Sequence, residues 1–159
     1  MRTSLTRRGD TITLTTHSKK IIAKMLKETD LKEFLKSASI TLSDGTVASR
    51  ISQAKAKGLS PEDLIDAWHS TPHSTSRKGK GKASHFSPLT YEQLNADLGT
   101  SNTKEIIDYI VANLYARYEG TLRDNNSLDF DDLLVYGVRL FGENPKVGKW
   151  CEHVLVDEL

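Results

Sequence analysis

The residues best placed to do chemistry are two groups of carboxylates in the last part of the chain. Val154-Leu155-Val156-Asp157-Glu158 runs apolar and β-branched residues into two adjacent acids. This pattern predicts a buried parallel strand that delivers both acids at its carboxyl end, where open α/β sheets hold their ligands. It has the form of a Walker B strand. In such a site the first acid, here Asp157, holds Mg²⁺ on nucleotide phosphates, and the second, Glu158, activates the attacking water. Carboxylates suit this task because Mg²⁺ is a hard cation that prefers oxygen ligands. The same short run also fits a strand end meeting a polar loop. The second group, in Leu128-Asp129-Phe130-Asp131-Asp132-Leu133-Leu134, lies roughly two dozen residues earlier.

The elements around these acids follow from periodicity and capping. Asp129 predicts the N-cap of a helix reaching Leu140 or Phe141, with Phe130, Leu133, Leu134, Val138 and Phe141 inward and Gly142 beyond its end. Asp131 and Asp132 favour that helix start through the dipole, which is reason enough for them to be acids. Asn144-Pro145 opens a short final helix to about Trp150, and the acid-tipped strand comes after it.

Taken together, the Leu-Asp-Phe-Asp-Asp-Leu-Leu helix start, its amphipathic helix and His-Val-Leu-Val-Asp-Glu resemble the UvrD/Rep/PcrA-like superfamily 1 DNA helicases. The resemblance covers roughly residues 18–158 and is strongest from Tyr109 onward. It implies a mainly α chain: the helical subdomain inserted into the first motor domain of a P-loop helicase, with a C-terminal Walker B β-strand belonging to a parent α/β sheet. It further implies an ATP-dependent helicase or translocase, working 3′ to 5′ on single-stranded DNA, with ATP and Mg²⁺ as cofactors of the intact enzyme. Asp157 is then the Mg²⁺ ligand and Glu158 the catalytic residue. Asp129 and Phe130 fall near the DNA path.

Departures from the family pattern are equally specific. The family follows its acidic pair with an aromatic, Gln, Asp and Thr, whereas Leu159 follows here. Gly81-Lys82-Ala83-Ser84 resembles a phosphate-binding loop but has Ala where Ser or Thr must follow the lysine, and Ser76 where the earlier glycine belongs. The expectation is therefore a fragment that does not hold ATP and is inactive alone, with the remainder of the motor domains as its partner. Two alternatives belong to other classes: a non-catalytic helical module that binds DNA or protein, and a truncated reading frame without independent function.

Upstream, the chain divides into an irregular leading segment (1–17), a helical subdomain (18–142) carrying a mobile basic loop (70–88), and a return toward the motor domain (143–159). In the leading segment only Thr11–Thr15 alternates like a strand. Ser18 predicts the cap of a helix to Leu26 or Lys27, with Ile21, Ile22, Met25 and Leu26 on one face and Lys19, Lys20, Lys24 and Lys27 on the other. Leu31–Lys36 forms a further turn or two. A helix from about Thr46 to Lys57 turns Val47, Ile51 and Ala54 inward and Arg50, Lys55 and Lys57 outward, where these three basic residues are candidates for DNA contact. Gly58 ends it, and Ser60-Pro61-Glu62-Asp63 caps the next. Phe86–Leu98 is helical in its second half. The longest helix runs from Asn102 or Thr103 to about Arg123, with a stripe of Ile106, Ile107, Ile110, Val111, Leu114, Tyr115 and Tyr118.

Charge is distributed unevenly along these elements. Residues 1–57 carry twelve Lys and Arg against five acids, and residues 103–159 carry six against eleven, although the whole chain has a formal charge of only +1. A nucleic-acid surface, on single-stranded or duplex DNA, belongs toward the basic front. One cysteine, Cys151, excludes an internal disulfide. No apolar run has the length of a membrane span, and an intracellular site is expected, nuclear in a eukaryote.

Overall fold

The computed structural model describes residues 3–7, 10–15, 17–69, 103–144, 146–150, 153, 155 and 157. Among these the chain is mainly helical. Strands β1 (Thr3–Arg7) and β2 (Asp10–Leu14) precede helices α1 (Ser18–Leu26), α2 (Thr29–Ser37), α3 (Asp44–Ala56) and α4 (Pro61–His69). Then come α5 (Thr103–Asp124), a short strand β3 (Ser127–Leu128), α6 (Phe130–Glu143) and a 3₁₀ turn (Val147–Trp150). The loop expected at 70–88 and the helical stretch before Leu98 lie outside the described residues.

The leading segment is more ordered than its sequence suggests. β1 and β2 pair antiparallel from Thr3 opposite Leu14 to Arg7 opposite Asp10, and β3 pairs parallel with the other edge of β2. Thr13 and Thr15 donate to the carbonyls of Asn126 and Leu128 at 2.9 and 2.8 Å. The expectation of an irregular start is thus corrected. A lone alternating pentapeptide is marginal, but here it gains partners on both edges, one of them more than a hundred residues away.

Helix ends obey local chemistry. At the end of α3, Gly58 adopts φ +68°. It donates to the Lys55 carbonyl at 2.9 Å, and Leu59 donates to that of Ala54 at 2.9 Å. This is a Schellman closure, and its left-handed residue is the glycine expected there. Ser60 accepts from the Asp63 amide at 3.2 Å, while Asp63 accepts from the Ser60 amide at 2.8 Å, capping α4. The cap predicted at Ser18 is not formed. Ser18 is the first residue of α1, and its hydroxyl turns to Tyr118 instead.

α5 is the helix around which the others pack. Its expected stripe is buried apart from half-buried Ile107, with Ile106, Ile110, Leu114 and Tyr118 each no more than 3% exposed. α4, α3 and α1 pack against it. They contribute Val47, Ile51 and Ala54 from α3 and Ile22 and Met25 from α1, joined by Leu31, Phe34 and Leu35 of α2. Trp68 of α4 meets Tyr109 with ring centroids 4.4 Å apart.

The largest departure concerns α6. Phe130, Leu134, Val138 and Phe141, expected inward, are 58, 73, 77 and 52% exposed, and Leu133 is exposed too. The residue this helix does bury is Asp132. Amphipathicity shows that a helix has an apolar face but not what that face meets; among the described residues only the 3₁₀ turn, with Gly148 beside Phe141, lies against it. Nor does the predicted Walker B strand take shape among the described residues. His153, Leu155 and Asp157 pair with no strand, and Leu155 is 99% exposed. Val154, Val156 and Glu158 of that stretch lie outside the described residues.

Truncating the two kinds of apolar position should separate them. Leu114→Ala, in the core, is expected to cost about 2–5 kcal/mol of stability. Leu134→Ala, on the open face of α6, should change it by no more than about 0.5 kcal/mol. Urea unfolding followed by circular dichroism measures both.

Candidate functional site

The most unusual chemistry in the fold is a buried lysine. Lys55 lies at the end of α3, one turn after Ile51, on the margin of the inward face rather than on the outward face where its charge suggested. Its side chain is 2% exposed. A buried ammonium needs acceptors for its three protons, and the chain supplies three carboxylates. Nζ donates to Asp129 Oδ2 at 2.8 Å and to Asp132 Oδ1 at 2.6 Å. Glu119 Oε1 stands 2.7 Å away as an ion pair that no directed hydrogen bond reinforces.

Each acid is held by its own element. Asp129 and Asp132 form a reciprocal capping box at the start of α6: Asp129 Oδ1 accepts from the Asp132 amide at 2.8 Å, and Asp132 Oδ2 accepts from the Asp129 amide at 2.9 Å. Each carboxylate therefore spends one oxygen on the cap and the other on Lys55. Tyr118, on α5, lies 2.8 Å from Asp129 Oδ2 and 2.7 Å from Ser18 Oγ. Its single proton goes to the carboxylate, so the serine hydroxyl is the donor to Tyr118. The Tyr118 and Tyr115 rings lie 5.4 and 5.9 Å from Nζ, within reach of a cation–π attraction.

This environment fixes the protonation states. Burial alone would push Lys55 toward neutrality, but its hydrogen bonds to Asp129 and Asp132, with the adjacent Glu119 carboxylate, outweigh it and hold the amine above the ordinary lysine range. Its partners favour the ammonium form. Burial raises Glu119 and Asp132 against the pull of Lys55. Asp129 is buried too, but its hydrogen bonds from Lys55 and the Asp132 amide bring it below the usual carboxylate range. Burial also raises both tyrosines. One ammonium shared by three acids ties α3 to α5 and to the start of α6.

The structure thus brings together two of the five residues predicted to touch DNA, Lys55 and Asp129, and buries both. The placement of Lys55 on the outer surface is corrected: three carboxylates already take its ammonium out of contact with solvent. Arg50 pairs with Asp108 across to α5. Lys57 is exposed and Phe130 is 58% exposed. Asp157 is exposed, and Glu158 lies outside the described residues. Sequence reasoning missed Glu119, Tyr118 and the second task of Asp132. A signal was available, since Lys55 and Glu119 each follow a core residue, Ile51 and Tyr115, by one helical turn.

Two measurements test the cluster. Lys55→Met strands three acids and should cost about 3–5 kcal/mol in urea unfolding at neutral pH. Adding Glu119→Gln should recover part of that loss. The second test is alkaline pH. A lysine raised in the folded state contributes fully below its unfolded value of about 10.4, and that contribution is lost as pH rises beyond it. Tyrosines raised by burial act in the same direction above about 10, because only the unfolded chain releases their protons there. Stability should fall from about pH 10 upward, less steeply in Lys55→Met.

Comparison with known proteins adds to this geometry. The model of the UvrD/REP helicase N-terminal domain matches residues 3–159. A Mycoplasma capricolum protein described as "Probable DNA helicase II homolog" is 44% identical over 61 residues, covering 36% of this chain and 8% of the relative. A Rickettsia typhi protein described as "DNA helicase II" is 33% identical over 69 residues, covering 41% of this chain and 10% of the relative. The matched stretches thus span a tenth or less of these relatives. No solved structure matches. Both relatives are bacterial, which lends nothing to a nuclear site.

Proposed function

The chain belongs to the UvrD/REP helicase N-terminal domain family, and from that membership we propose that it is the helical inserted part of an ATP-dependent DNA helicase. In this reading the chain works with the rest of a two-domain motor that moves 3′ to 5′ on single-stranded DNA. The observation that carries the reading is the family match over residues 3–159 together with the Asp129–Asp132 cap that begins α6. That cap lies in the stretch whose motif leads, in the family, to the Mg²⁺-binding acids.

Asp157 is then the residue that holds Mg²⁺ on the phosphates of ATP, and Glu158 the one that orients and activates water. Both are carboxylates, the donor type this cation takes, and Asp157 is solvent-exposed. Bound Mg²⁺ neutralises charge developing on the phosphates; the chain's own contribution is to present the two acids in sequence after an apolar run. No Gly-x-x-x-x-Gly-Lys followed by Ser or Thr occurs in the sequence, so the residues that cradle phosphates are not supplied here.

The exposed face of α6 supports a partner of this kind. Phe130, Leu134, Val138 and Phe141 form an apolar surface on the helix just upstream of the acids, and Leu155 is fully exposed between them and Asp157 in sequence. Surfaces of this composition mark sites of association, and the remainder of the motor domains fits it.

The chain alone is expected to show no ATP turnover, with or without DNA, in a coupled phosphate-release assay. Turnover by the chain that Glu158→Gln abolishes would overturn this division of labour.

A further inference from the structure

We propose that Glu119 is a proton-operated latch on the junction of α3, α5 and α6: its carboxyl takes up a proton in mild acid, and the junction holds more firmly in that form. Three carboxylates crowd one ammonium there, and they are unequally provided for. Asp129 accepts from the Asp132 amide, from Lys55 and from Tyr118, and Asp132 accepts from the Asp129 amide and from Lys55. Glu119 has no such bond. Its Oε1 is buried and stands 2.7 Å from Nζ, but the approach is not that of a hydrogen bond, and neither a backbone amide nor a hydroxyl serves it among the described residues.

A carboxylate in that position bears the cost of lost hydration without the bonds that normally offset it. It also repels two acids that share its ammonium. A proton on Glu119 removes both penalties and leaves Lys55 to the two carboxylates it meets with directed bonds. The forfeited attraction to Lys55 is the smaller effect: burial holds Glu119 above the ordinary carboxylate range, with Asp132 and Asp129 adding to the rise. Asp132 is also raised by burial, but both of its oxygens are already engaged. Glu119 is the acid whose protonation breaks no hydrogen bond.

Glu119 can also exchange a proton with solvent. Its side chain is 21% exposed, against 7% for Asp129 and 5% for Asp132. It lines an open cavity of about 370 Å³ between α5, α6 and the turn from α3 to α4. Besides the cluster, the charged residues on that wall are Glu62 of α4, Arg123 of α5 and Arg139 of α6. All three are exposed, and Arg139 is paired with Glu143, so solvent screens their influence. Arg123 lies one turn beyond Glu119 but makes no ion pair among the described residues. Tyr115 and Tyr136 also face the cavity; Tyr115 donates its hydroxyl to the Leu59 carbonyl at 3.3 Å and is held protonated by burial.

A carboxyl raised in the folded chain binds its proton more tightly there, so stability climbs as pH falls through the folded value and levels off near the unfolded value of about 4.3. Asp129, lowered in the folded state, acts in the opposite sense only below about 3.9. The test is carboxyl-carbon NMR of the glutamate side chains in the full chain from about pH 7 down to about pH 4.5, with urea unfolding at each step. The resonance absent from Glu119→Gln should titrate above the free-glutamate value. The urea midpoint of the parent should rise toward acid, and that of the variant should rise less. At about pH 7 the variant, which imitates the protonated acid, should be at least as stable as the parent. A Glu119 carboxyl that titrates at or below the free value, a shared pH profile for parent and variant, or a variant less stable than the parent at about pH 7 overturns the latch. Assignment of Glu119 through the backbone of the parent keeps the first criterion available should the variant not fold. None of these results bears on the helicase reading.

Discussion

One buried ammonium sets the geometry of the whole helical body. Lys55 reaches from α3 to acids 64, 74 and 77 positions later in the chain, and through Tyr118 the same network extends to Ser18 at the start of α1. An unpaired charge at this depth would be prohibitively costly, so α3, α5 and the start of α6 must meet in one arrangement or not meet at all. Apolar packing around α5 supplies most of the driving force but tolerates small slides. The directed bonds around Nζ do not, and they select the register.

The position of that cluster has a consequence for the motif that first suggested a function. Asp129 and Asp132 close the cap of α6 with one oxygen each and bind Lys55 with the other, so the helix start is fixed to α3 and α5 rather than free to rotate. The stretch from α6 to Asp157 therefore departs from a fixed point. Asp129 and Asp132 thus have a structural task.

Polar and apolar surfaces are also segregated. Acids and the open apolar face of α6 gather in the later part of the chain, and four exposed lysines lie on α1 and at its end.

What could be read from the sequence was whatever depends on neighbours within a turn or two. Helix extents, the α5 stripe, the Gly58 closure and the Ser60 and Asp129 caps were all legible, because periodicity and capping are local chemistry. The family was legible because its residues are close together in order and spacing. Tertiary structure decided the rest. Lys55 read as a surface charge because its partners are remote in sequence, and β2 read as marginal because its parallel neighbour begins at Ser127. The apolar residues of α6 read as core because a pattern shows that a face is greasy, whereas only assembly shows what it touches.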